Sequence, residues 1–193
     1  MKFEKQTIKA TLIAVFSGLL AIANVAATKV VTIEGISITA GVVPIAGAYL
    51  ISDIGVERYG KQFGHRLVWS GVASLSVVIG ISQLVVSLPG QSPVNDILTA
   101  SLPILLASIL SIVVAQHSDI ALFVWIRENF PYRPTRNIGS TTVSQLLDTS
   151  MFSLLAFWVF PQLIGGRILA FGTIATIIIT EWAIKSGIGI IDT

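Results

Sequence analysis

Two stretches of this 193-residue chain repeat one spacing of residues able to do chemistry. Gln116, Asp119 and Phe123 follow Q-x-x-D-x-x-x-F, and Gln145, Asp148 and Phe152 follow it again. Steps of three and four put the three side chains on one helix face, so each copy makes a polar notch beside an aromatic ring. A carboxylate accepts two parallel hydrogen bonds from an N–H/NH₂ edge, as guanidinium groups and guanine-like bases present it. Glutamine adds one donor and one acceptor for the remaining edges, and an aromatic ring stacks on a planar base. The chemistry implied is recognition of a small polar or cationic solute. The plainer alternative is that the two Gln-Asp pairs only hydrogen-bond their helices together. Such pairs contribute only about 0.6 kcal/mol on average inside membranes, while an aspartate in hydrocarbon costs about 2.5–3.5 kcal/mol.

The elements that position these residues are apolar helices. Charged residues make up 11% of the chain and apolar residues 53%, against about 25% charged in soluble domains, which identifies an integral membrane protein. The absence of cysteine excludes disulfides, thiolate metal sites and a cysteine nucleophile. Two histidines, His65 and His117, stand without metal-ligand spacing, so neither a metal nor another cofactor is expected. Gly187 and Gly189 lack the strand and further glycines of a nucleotide fingerprint. A hydrocarbon core about 30 Å thick needs about 20 helical residues. Six segments qualify, at about 8–28, 40–57, 66–88, 97–126, 140–160 and 166–186. The expected fold is all-α: a polytopic membrane protein in which residues 1–193 form a single domain, one six-transmembrane-helix bundle. The fourth segment is too long for a straight crossing and contains Pro103, a kink candidate.

Ten of the twelve basic residues fall on one side of this plan: Lys2, Lys5, Lys9, Arg58, Lys61, Arg66, Arg127, Arg133, Arg136 and Lys185. Only Lys29 and Arg167 fall on the other, so both termini are expected in the cytoplasm, N-in and C-in. The first segment also begins like a signal peptide, but its long apolar run and the five helices after it favour retention. Ala14/Gly18 and Ala23/Ala27 are small-residue pairs suited to close helix packing within the bundle.

Depth follows from the loop between the fourth and fifth segments. Arg127 marks a cytoplasmic end, and Asp119 lies about two turns deeper. Pro131 and Pro134 delay the fifth helix to about Ile138, so Asp148 lies at a similar depth. Both carboxylates are then roughly 12–15 Å from the interface, near the midplane. Antiparallel helices joined by a short loop are neighbours, which would merge the notches into one pocket with Phe123 and Phe152 as walls. Further polar residues have two readings each. Lys29 either snorkels to the interface or, with Asn24, forms a polar gate at an outer mouth. Tyr49, Asp53 and Glu57 form a stripe on the second helix, Glu57 being either a salt-bridge partner of the nearby basic residues or part of a gate or proton path.

At these residues the chain resembles the queuosine-precursor transporter family, part of the vitamin uptake transporter group. Asp53-x-x-x-Glu57-x-Tyr59-Gly60, Gln116-x-x-Asp119-x-x-x-Phe123 and Arg136-Asn137-x-x-Ser140-x-x-x-Ser144-Gln145-x-x-Asp148-Thr149 carry the likeness. Asn24 with Lys29, and Arg66 with Trp69 and Gly71, extend it over about residues 20–160. One departure is Leu102-Pro103, where members often carry an arginine at the entry to the fourth helix. The resemblance implies a non-enzymatic, multi-pass importer of the cytoplasmic (inner) membrane. Its solute would be 7-cyano- or 7-aminomethyl-7-deazaguanine, destined for tRNA modification, with no nucleic acid bound by the chain itself. It implies substrate contacts from Gln116, Asp119, Gln145, Asp148, Phe123, Phe152 and Asn24, and gating or proton coupling by Asp53, Glu57 or Lys29. The competing readings are a substrate-binding membrane subunit served by a separate ATP-driven module, and an intramembrane aspartyl protease using Asp119 and Asp148. The Gly-x-Gly-Asp sequence associated with those proteases is absent. Monomer or homodimer is left open.

Overall fold

The computed structural model describes residues 2–90, 92–129 and 133–191; within these, the side chains of 2–4, 53, 57, 116–117, 119–124, 126–129, 133–141 and 188–191 lie outside the described part. Its elements run α1 (Lys2–Ala26), β1 (Val30–Ile33), β2 (Ile36–Thr39), α2 (Val42–Tyr59), α3 (Lys61–Ser87), α4 (Pro93–Asn129), α5 (Arg133–Leu154), a π-helical turn (Leu155–Val159), α6 (Phe160–Ile164) and α7 (Phe171–Ile191). Among the described residues, Lys5–Ala26, Lys61–Ser87, Pro93–Ala115 and Thr142–Ile164 are each long and apolar enough to cross a membrane. Val42–Val56 is a shorter apolar helix. Large apolar side chains such as Trp69, Val77, Ile81 and Leu84 point outward from α3, an arrangement that hydrocarbon tolerates and water does not.

The chain divides into two compact units, Met1–Lys29 with Ala40–Leu105, and Val30–Thr39 with Leu106–Thr193. In the first, α1, α2 and α3 pack on one another through small residues. A Cβ on Gly41 would stand 2.5 Å from the Ala23 carbonyl oxygen and 3.0 Å from the Ala27 methyl, so only glycine lets the two backbones meet there. Gly71 on α3 likewise receives Leu20 and Phe16 of α1. Ala23 and Ala27 are thus the close-packing pair that their spacing predicts, whereas Ala14 and Gly18 are exposed.

The second unit holds the hairpin, the later part of α4, and α5 to α7. The hairpin departs from the all-α expectation. Val30-Val31-Thr32-Ile33 and Ile36-Ser37-Ile38-Thr39 are β-branched runs, apart from Ser37, on either side of Glu34-Gly35. Both loop residues adopt positive φ, 51° and 84°, as the primed two-residue hairpin turn requires. Length rules out a helix there, and strand propensity takes over.

Two further expectations are corrected. Helix α5 starts at Arg133 rather than near Ile138, because Pro134 falls in the first turn, where no intrahelical N–H is needed. The last helix, expected over about 166–186, runs as α7 to Ile191, and Lys185, counted with the basic residues of the cytoplasmic side, is buried within it. Proline also shapes the other end of α5. Pro161 has no N–H for the Phe157 carbonyl four residues back, and the helix widens into a π turn over Leu155–Val159. That carbonyl instead accepts from the Leu169 amide at 3.0 Å, after the chain reverses through Gly165 and Gly166, both at positive φ.

Candidate functional site

Helix α5 turns a polar strip inward. Ser144, Gln145, Asp148, Thr149 and Ser153 are all buried, and their steps of one, three and four residues keep them on one side of the helix. Leu146, Leu147 and Leu154 lie outward and exposed. The strip meets α7. Lys185 Nζ lies 3.3 Å from Asp148 Oδ2 and donates to Thr149 Oγ1 at 3.0 Å. Ser186 Oγ donates to Gln145 Oε1 at 3.4 Å. Trp182 Nε1 donates to the Thr142 carbonyl at 3.0 Å, pinning α7 against α5 about one turn away from the ion pair.

A second buried acid stands on the same helix. Glu181 is 2% exposed and precedes Lys185 by one turn, so both project from one face of α7. Its Oε1 accepts the Thr39 backbone N–H at 3.1 Å and the Thr39 hydroxyl as well. An unpaired strand N–H is costly in an apolar interior. Glu181 satisfies this one at the end of β2 and anchors the hairpin to α7. Within the hairpin, the Thr32 and Ser37 hydroxyls pair at 2.8 Å.

Of the expected site residues, Gln145 and Asp148 are brought together on α5 and engaged by α7. Phe152 packs edge-to-face on Phe157, with centroids 6.1 Å apart and rings at 85°. Gln116, Asp119 and Phe123 of α4, and Asp53 and Glu57 of α2, have side chains outside the described residues. Asn24 belongs to the first unit, buried in α1, with Nδ2 donating to the Leu20 carbonyl at 2.8 Å and Oδ1 without a partner among the described residues. Lys29, also in the first unit, is exposed. No group of three acidic or histidine side chains able to hold a metal occurs among the described residues.

Sequence reading assigns no role to Glu181, and it places Lys185 only among the basic residues of one side. The available signal was an acid and a base four apart within an apolar helix, a pairing that hydrocarbon tolerates only with partners. Chemically, the strip offers a carboxylate, an amide and hydroxyls, with an ammonium already seated on the carboxylate. That set binds donors and cations.

Comparison with known proteins gives two matches. A family profile described as "Putative vitamin uptake transporter" matches residues 39–193. A protein of Bacillus subtilis (strain 168) named "Probable queuosine precursor transporter" is 31% identical over 144 residues, which covers 70% of this chain and 63% of that protein. The match therefore spans less than two thirds of the relative's length. No solved structure matches.

Proposed function

Because the chain belongs to the vitamin uptake transporter family, matched over residues 39–193, we propose that it imports a queuosine precursor, 7-cyano- or 7-aminomethyl-7-deazaguanine, for tRNA modification. Family membership makes it a transporter and not an enzyme. The name of the Bacillus relative supports the solute class. In this reading the helices cross the cytoplasmic membrane six times with both termini inside. Asp148 and Gln145 take the N–H/NH₂ edge of the base, joined by Gln116 and Asp119 from α4, with Phe123 and Phe152 as walls. Asp53, Glu57 and Lys29 serve gating or proton coupling.

The observation that supports the reading most is the pair of buried notch residues on α5. Asp148 and Gln145 are each 8% exposed, and α7 reaches both, with Lys185 Nζ 3.3 Å from Asp148 Oδ2 and Ser186 Oγ 3.4 Å from Gln145 Oε1; an acid kept in an apolar helix is costly.

The test is tRNA queuosine content in cells lacking both precursor synthesis and their own importer. Expression of this chain restores queuosine at low external precursor, and Asp148→Asn, present in the membrane at normal level, does not. Full restoration by Asp148→Asn would sink the site; no restoration by the wild-type chain would sink the solute.

A further inference from the structure

We infer that Ser153 is a specificity-determining residue for the group carried at the 7-position of the solute: its hydroxyl donates to a nitrile there, or accepts from an aminomethyl ammonium. The inference rests on the reading of the Gln145–Asp148 notch as the seat of the N–H/NH₂ edge of the base, and adds a contact at the opposite end.

The observation that carries it is a hydroxyl left over. Ser153 is 0% exposed, and its Oγ has no hydrogen-bond partner among the described residues. An unpaired buried hydroxyl is costly, and a helical serine has a remedy at hand in the carbonyl three or four residues back. Other helical serines of this molecule take it. Ser70 donates to the Leu67 carbonyl at 2.7 Å, Ser76 to Val72 at 2.9 Å, Ser101 to Leu98 at 2.8 Å and Ser111 to Ser108 at 3.3 Å. Ser153 keeps both its donor and its acceptor for another partner.

Position indicates which partner. Asp148 and Phe152 are four residues apart, as are Thr149 and Ser153, so two columns run side by side along α5. A planar base with its edge on the notch and its face on Phe152 lies along the first column, in the direction from Asp148 to Phe152. Ser153 stands beside the far end, about 7.5 Å beyond Asp148 along the helix axis, where the five-membered ring and its substituent come to lie. The Phe152 ring is itself held edge-to-face on the buried Phe157. Phe157 belongs to the π-helical turn that begins two residues after Ser153, and such turns recur at functional sites. A hydroxyl rotates to suit its partner, so one residue serves the cyano and the aminomethyl forms alike.

The experiment is equilibrium binding to the full chain in phosphatidylethanolamine/phosphatidylglycerol liposomes, wild type against Ser153→Ala. The labelled probes are 7-deazaguanine, 7-cyano-7-deazaguanine and 7-aminomethyl-7-deazaguanine. Ser153→Ala is expected to weaken the cyano base about fivefold and the aminomethyl base about thirtyfold, the scales of one neutral and one charge-assisted hydrogen bond. Unsubstituted 7-deazaguanine stays within about twofold of wild type, a change smaller than the loss of one such bond. If Ser153→Ala does not fold, Ser153→Cys, close in size and bearing a weakly donating thiol, carries the same comparison, with smaller losses in the same order. The inference is overturned if the variant binds all three bases as wild type does. It is also overturned if all three weaken alike, as they would if Ser153 only shaped the packing of α5. Wild-type protein that binds none of the three overturns the solute reading itself, and the inference with it.

Discussion

Each of the two units packs internally by different physics. In the first, α1, α2 and α3 meet where side chains are smallest, at Ala23, Ala27, Gly41 and Gly71. Its described charges stay at the margin, as with Lys9, which lies over the Tyr59 ring at 4.7 Å. In the second, α5, α7 and the hairpin meet through buried charge: Asp148 with Lys185, and Glu181 with Thr39. Dispersion between close backbones is what hydrocarbon leaves available for association, since lipid is as apolar as leucine. A membrane protein that only needed to fold could be built as the first unit is. The second carries charge that packing does not require, which is why the proposed solute site is placed there.

The contrast can be broken or sharpened by variants ranked by cost, each read as unfolding free energy in detergent. Glu181→Ala leaves two buried donors of Thr39 unsatisfied and is expected to cost about 4 kcal/mol. Gly41→Val drives a methyl-bearing Cβ onto the Ala23 carbonyl and costs about 3 kcal/mol; a smaller effect than that of Trp182→Phe would mean the helix contact in the first unit is looser than described. Trp182→Phe loses one hydrogen bond to Thr142, about 1 kcal/mol. Lys9→Met removes an exposed-edge cation–π contact, about 0.5 kcal/mol. If Lys9→Met destabilised more than Glu181→Ala, the division between marginal and central charge would fail.

Much of this was legible in the sequence because apolar run length and small-residue spacing are local signals. Ala23 and Ala27 announce the α1–α2 contact, and the Gln145–Asp148 spacing announces a polar face that α5 buries. The hairpin was hidden because ten residues between two long helices read as a loop, although Glu34-Gly35 between β-branched runs is the signature of a tight hairpin. Lys185 was misread for a physical reason too. A basic residue near the end of an apolar run looks like an interfacial anchor, and only the partner on α5, 37 positions away, makes burial tolerable. Glu181 depends in the same way on Thr39, 142 positions distant. Non-local pairing is what a single sequence shows least. The α4 copy of the motif, Gln116 with Asp119, remains a proposal as the second half of the site.

The central claim is that Asp148 is held ready for a solute. Equilibrium titration of the purified chain with labelled 7-aminomethyl-7-deazaguanine, wild type against Asp148→Asn, tests it most directly. Saturable wild-type binding that weakens by about a hundredfold in Asp148→Asn, the scale of a lost charged hydrogen-bond pair, is the predicted result. An Asp148→Asn protein that binds within about twofold of wild type would contradict it, a difference too small for the loss of even one such bond.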